Sequence, residues 1–169
     1  MNNIHLIIGN CGVGKTWVMQ ELLRTLDINP NVYAYKTGLY QYVKKDGIVV
    51  LGKYDGSTFA GSDRLSMSVM STNKYMEPVF AGAKFVVAEG DRFTNSTFIK
   101  AFNPTIIRIG GDGADGRLKR GSTQTERHIK SIATRVNNIE PDIYVEDSQT
   151  CLNLLLHLIN KKTNVEIQE

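Results

Sequence analysis

Eight residues, Gly9-Asn10-Cys11-Gly12-Val13-Gly14-Lys15-Thr16, follow the pattern G-x-x-x-x-G-K-[ST] and stand directly after the apolar run Ile4-His5-Leu6-Ile7-Ile8. These residue types at this spacing suit the holding of a polyphosphate. Gly9, Gly12 and Gly14 let the backbone curl so that successive N–H groups converge on phosphate oxygens at a helix N-terminus. Lys15 adds a point charge near the β- and γ-phosphates, and Thr16 offers a hydroxyl to Mg²⁺. The whole run from Gly9 to Thr16 is therefore expected to bind a nucleoside triphosphate, ATP with Mg²⁺. A chance glycine-rich turn is the plainer alternative. It is disfavoured by the strand-like run before the motif and by the recurrence of Met19, Leu22, Leu23 and Leu26 on one helical face after it.

Further groups with chemical potential lie downstream. Glu89 ends the apolar run Phe85-Val86-Val87-Ala88 and is the candidate carboxylate for orienting Mg²⁺ or its water. Asp91 and Arg92 follow, placed to contact an acceptor, although a solvated strand end would read the same way. The basic residues Arg117, Lys119 and Arg120 are flanked by glycines and read as a lid, spanning residues 110–127, that closes over the triphosphate. Mobile arginines there would offset the charge that phosphoryl transfer spreads over the equatorial oxygens, and would exclude water. A solvated basic loop is the alternative.

The stretch from Lys53 to Arg64 mixes glycines, aromatics and charges, as a binding loop does. An acceptor hydroxyl needs a carboxylate to orient it and take its proton, a role open to Asp55, Asp63 or Asp91. An acceptor monophosphate needs arginines instead, and Arg64 and Arg92 are available. Tyr54 and Phe59 could stack on a base or pack the loop onto the domain. Arg127 opens a basic helix face, continued by Lys130 and Arg135, that would neutralise backbone phosphates of a DNA acceptor.

The elements that must position these groups alternate β and α. Strands are expected at Ile4–Ile8, Val32–Lys36, Phe85–Ala88, Thr105–Ile109 and Ile143–Val145, the third a continuous apolar run suited to a buried parallel strand. The runs Leu39–Val43 and Ile48–Gly52, joined through Asp46-Gly47, read as a β-hairpin inserted into this pattern, and with the loop that follows they make up residues 39–64. Helices are expected after the Gly9–Thr16 run, from Arg64 to about Phe80 with a break near Pro78, after an N-cap at Ser122, and from Gln149 to about Asn160. The expected architecture is a single three-layer α/β domain of the P-loop NTPase or kinase kind, with a mostly parallel five-stranded sheet and an inserted hairpin.

The order of motifs, a phosphate loop, Glu89-Gly90-Asp91-Arg92 after the third strand and an arginine-rich lid before the last, resembles nucleoside and nucleotide kinases of the adenylate and thymidylate kinase type. An Asp-Arg pair after a strand also occurs in thymidylate kinases. More narrowly, the run from Gly52 to Ser66 and the run Arg120-Gly121-Ser122-Thr123-Gln124-Thr125-Glu126-Arg127 resemble the small phage kinases that phosphorylate 5-hydroxymethyluracil in DNA. That resemblance implies an ATP-dependent kinase with modified DNA as acceptor. A kinase of free deoxynucleoside monophosphates and a P-loop NTPase that transfers nothing are the alternatives.

Composition bounds these readings. A chain of 169 residues can bury one core but cannot add a second independent domain to a kinase core. The net charge is only +3, less than a dedicated DNA binder carries, yet Arg108–Arg135 holds seven basic residues against three acids. Two cysteines make no disulfide framework; Cys151 shares a helical face with Leu154, Leu155 and Leu158 and is expected in the core. Neither the cysteines nor the scattered histidines have metal-ligand spacing. The start of the chain lacks a basic n-region, and no run approaches the roughly 20 apolar residues of a membrane span. The expectation is a soluble, cytoplasmic protein with no membrane partner, in the host cytoplasm if phage-encoded.

Overall fold

The computed structural model describes residues 3–54, 61–62, 65–120 and 125–163, with Arg120 described by its backbone alone. Seven strands form one sheet: β1 (Ile4–Gly9), β2 (Ala34–Thr37), β3 (Tyr40–Lys45), β4 (Ile48–Leu51), β5 (Phe85–Glu89), β6 (Thr105–Ile109) and β7 (Ile143–Val145). Their order is β2-β3-β4-β5-β1-β6-β7. The pairs β4–β5, β5–β1, β1–β6 and β6–β7 are parallel, and β2–β3 and β3–β4 are antiparallel.

The sheet thus has seven strands where five were expected, because the hairpin is not set apart from it. Its second arm, β4, is itself a member of the parallel core, in register with β5 through Ile48↔Phe85, Val49↔Val86 and Val50↔Val87. All four residues of β4 are buried, as a strand covered on both faces requires. The segment expected to be the second parallel strand is instead β2, an antiparallel edge strand whose four residues are all exposed.

Helices cover both faces. The helices α1 (Lys15–Thr25) and α7 (Ser148–Thr163) pack on one, where Val18, Met19, Leu22 and Leu23 meet Cys151, Leu152, Leu155 and Ile159 above Ile7, Val50, Val87 and Ile107. Cys151 is fully buried, as expected, and burial pushes its thiol up to about 12. The opposite face holds α2 (Val69–Thr72), α3 (Glu77–Phe80), α4 (Ser96–Phe102) and α6 (Glu126–Asn137) over Leu6, Ile8, Val49, Leu51, Val86 and Ala88. Side chains alternate along each strand, so every central strand contributes to both layers. The result is a three-layer α/β sandwich.

Two helices differ from expectation. In place of one helix from Arg64 to Phe80, α2 and α3 are single turns separated by a 3-10 turn at Asn73–Tyr75, with Pro78 in the first turn of α3. Asn73 is fully buried and accepts from Asn95 Nδ2 at 2.7 Å, which fixes the break. The helix α6 is capped by Thr125, whose hydroxyl accepts from the amide of His128 at 3.2 Å; Ser122 lies outside the described residues. Its inner face buries Ile132 and Val136. Among the described residues no helix is long and apolar enough to cross a membrane.

Candidate functional site

In a parallel sheet the groups that follow the strands' carboxyl ends gather along one edge. Here that edge carries the Gly9–Thr16 run after β1, Gly52–Tyr54 after β4, Glu89–Arg92 after β5 and the Gly110–Gly116 stretch after β6. The Gly9–Thr16 run turns as its glycines suggest. Gly12 and Gly14 have φ of 89° and 97°, a region costly for a residue with a Cβ, and Gly14 caps α1 in the left-handed conformation. Lys15 Nζ donates to the carbonyls of Gly9 at 2.8 Å and Asn10 at 2.9 Å, so its charge lies along the loop. Asn10 Nδ2 donates to Gly111 O at 2.8 Å, joining the loop to the segment after β6.

Thr16 and Glu89 converge. A Cβ on Gly61 would stand 2.9 Å from Glu89 Oε1 and 3.1 Å from Thr16 Oγ1, so hydroxyl and carboxylate border one small space that only a glycine leaves open. Gly61 has φ of 101°, which also favours glycine. Glu89 is 3% exposed. Its Oε1 lies 3.3 Å from both the Tyr54 phenol and the amide of Ser62. No group of three or more His, Cys, Asp or Glu able to hold a metal occurs among the described residues. A hydroxyl paired with one carboxylate is instead the sparse oxygen set that suits Mg²⁺, which keeps several waters and takes its other ligands from phosphate.

The segment expected to be a flexible lid contains a helix, α5 (Ala114–Arg120), seated directly on the loop. A Cβ on Gly113 would fall on Cys11 O, one on Gly116 on Gly12 O, and one on Gly12 on Gly113 O. These glycines therefore permit backbone-to-backbone contact, where the sequence suggested mobility. Arg117 Nη1 bridges Cys11 O and Asp112 O, both at 2.7 Å, so its guanidinium reaches the loop. Leu118 and Lys119 are exposed, and nothing is described of the Arg120 side chain.

Three other expectations change. Tyr54 is 3% exposed and belongs to the core, so its ring offers no open face to a base; its phenol lies 3.1 Å from Leu51 O and 3.3 Å from Glu89 Oε1. Asp91 does not face outward. It is ion-paired with Arg135 of α6, and Arg92 Nη1 lies 3.5 Å away. Arg92 also donates from Nε to Leu65 O at 3.1 Å, so both residues fasten the end of β5 to its surroundings. Asp55, Phe59, Asp63 and Arg64 lie outside the described residues. Arg127 is exposed at the start of α6.

Sequence reasoning missed Ser62 and Gly61 as parts of the site, and Asn10 as its link to Gly111. Only the glycine-rich context of Gly61 hinted at a close approach. Comparison with protein-family models and with curated proteins finds no match to this chain.

Proposed function

We propose that this chain is a P-loop kinase that transfers the γ-phosphoryl group of ATP to the hydroxyl of a nucleobase or nucleoside, with 5-hydroxymethyluracil in phage DNA as the favoured acceptor. The observation that carries the reading is the convergence of Thr16 Oγ1 and Glu89 Oε1 on the space beside Gly61, at the mouth of the Gly9–Thr16 loop.

In this reading the amides of the Gly9–Thr16 loop and Lys15 hold the β- and γ-phosphates, and Thr16 and Glu89 hold Mg²⁺ or its water. Bound Mg²⁺ would neutralise charge on the β- and γ-oxygens. Arg117, already on the loop, supplies positive charge as the transition state forms, with Lys119 and Arg120 on the same short helix. The acceptor hydroxyl oxygen attacks the γ-phosphorus, the bond from phosphorus to the bridging oxygen breaks, ADP leaves, and the hydroxyl proton passes to a carboxylate. Asp63 is the favoured base and Asp55 its alternate; Asp91 is less suited, being engaged by Arg135. The loop from Tyr54 to Gly61 starts and ends beside Glu89.

A kinase of free deoxynucleoside monophosphates would need arginines open to the acceptor phosphate. Of the two arginines suited to that role, Arg92 is turned to Leu65 O and Asp91, and Arg64 lies outside the described residues. The discriminating experiment supplies γ-labelled ATP with 5-hydroxymethyluracil DNA, ordinary DNA and each free deoxynucleotide in turn. Label on the hydroxymethylated DNA alone supports the reading. Label on free monophosphates alone replaces it with the nucleotide kinase, and release of inorganic phosphate alone with a non-kinase NTPase.

A further inference from the structure

Three glycines, Gly52, Gly61 and Gly90, meet where β4 and β5 end. A Cβ on Gly52 would stand 2.9 Å from the carbonyl carbon of Gly61 and 3.0 Å from the amide of Ser62, and one on Gly90 would stand 2.5 Å from Ser62 Oγ. The chain leaves the sheet at Lys53 and returns at Gly61, and these two residues exchange a pair of backbone hydrogen bonds. Both feet of the intervening loop are therefore pinned against the strand ends.

Each foot also touches the same carboxylate oxygen. Inside the first foot, the Tyr54 phenol lies 3.1 Å from Leu51 O and 3.3 Å from Glu89 Oε1. At the second, the Ser62 amide donates to Glu89 Oε1 at 3.3 Å, and a Cβ on Gly61 would meet both that oxygen and Thr16 Oγ1. Tyr54 and Ser62 are 3% and 1% exposed, so neither contact is exchanged with bulk water. A carboxylate so deeply placed depends on its donors for orientation, and such outer partners govern the affinity of a metal ligand as strongly as its own position does.

We infer that Tyr54 and Ser62 are positioning residues for Glu89 at the cation site that Glu89 shares with Thr16. The inference rests on the proposed ATP and Mg²⁺ site. It assigns that site a coupling: displacement of either foot turns Glu89 away from the cation, and cation binding in turn steadies the feet, because linkage between two sites is reciprocal.

The test is ATP affinity measured by calorimetry in EDTA and in excess Mg²⁺, the ratio giving the metal-dependent gain. Tyr54→Phe keeps the ring in the core and removes only the hydroxyl. It should lower the gain about tenfold and leave the affinity in EDTA unchanged. In a Glu89→Gln background Tyr54→Phe should change nothing more, since the group it positions is already altered. Gly61→Ala, which places a methyl between Thr16 Oγ1 and Glu89 Oε1, should lower the gain without touching Tyr54. A wild-type gain in Tyr54→Phe, an undiminished effect of Tyr54→Phe in the Glu89→Gln background, or a full gain in folded Gly61→Ala would each overturn the inference. Failure of the underlying reading looks different: the wild-type protein itself would bind no ATP or show no gain from Mg²⁺.

Discussion

Replacing Gly116 by alanine sets two effects of opposite sign against each other. Gly116 lies inside α5, and in a solvated helix the change to alanine would stabilise by about 0.8–1.0 kcal/mol. Here the new Cβ would fall 1.8 Å from the carbonyl oxygen of Gly12, a backbone atom with no rotamer to yield. Overpacking of this kind costs about 1–3 kcal/mol. If α5 lifts off instead, it forfeits the hydrogen bond from Arg117 to Cys11 O, which, being partly solvated, contributes about 1 kcal/mol. The balance runs from about zero to a net loss of about 2 kcal/mol. For a domain of this size that lowers Tm by up to about 8 °C. Thermal unfolding followed by circular dichroism measures it, with Leu118→Ala as control, since Leu118 is 82% exposed on the same helix and should shift stability by less than about 0.5 kcal/mol. A rise in Tm for Gly116→Ala, as expected of an unpacked helix glycine, would refute the seating of α5 on the loop.

Other expectations follow from the same geometry. Arg117→Ala should lower kcat more than it weakens ground-state ATP binding, because its charge matters most as the transition state forms; steady-state kinetics with unchanged kcat would show Arg117 to be a loop clasp alone. Asp91→Ala removes the partner of Arg135 and Arg92 and should destabilise by about 1–3 kcal/mol in urea titration, whereas a change confined to turnover would return Asp91 to a catalytic role. His5 is 1% exposed, stacked on Phe85 and in contact with Lys162 Nζ at 3.3 Å; burial, then the charge of Lys162, lowers its pKa to about 4. The folded state keeps His5 neutral while the unfolded chain takes up its proton near pH 6.5. Stability should therefore be fully present above pH 6.5 and fall by about 3 kcal/mol in total as pH drops to about 4. His5→Gln should flatten that part of the pH profile, and an unchanged slope would contradict it.

Much of this site was legible because its residues are constrained locally. The Gly9–Thr16 turn is a spacing of glycines, and the end of β5 is an apolar run closed by an acid, so both could be read from short windows. The identity of β4 was not, although Ile48-Val49-Val50-Leu51 has the same unbroken apolar character as β5. The Asp46-Gly47 turn drew it into a hairpin, and hairpin and parallel core are both true of it. The glycines before Arg117 are a different case. Glycine serves flexible chain and close backbone approach alike, and only distant neighbours in the chain, Cys11 and Gly12, decide between them. Tyr54 followed the same pattern, since an aromatic beside a polar loop can face a ligand or the core, and the partner that drew it inward, Glu89, lies on another strand.

Binding of ATP by the Gly9–Thr16 loop for phosphoryl transfer is tested by comparing the wild-type protein with Lys15→Ala. Lys15 Nζ contacts the loop carbonyls of Gly9 and Asn10, and it lies outside the buried core, so the substitution should leave the far-ultraviolet spectrum and cooperative unfolding in place. With γ-labelled ATP, Mg²⁺ and 5-hydroxymethyluracil DNA, the account predicts labelled DNA from the wild-type protein and none from folded Lys15→Ala. Equal labelling by both proteins, or no labelling of any acceptor by either, would contradict it.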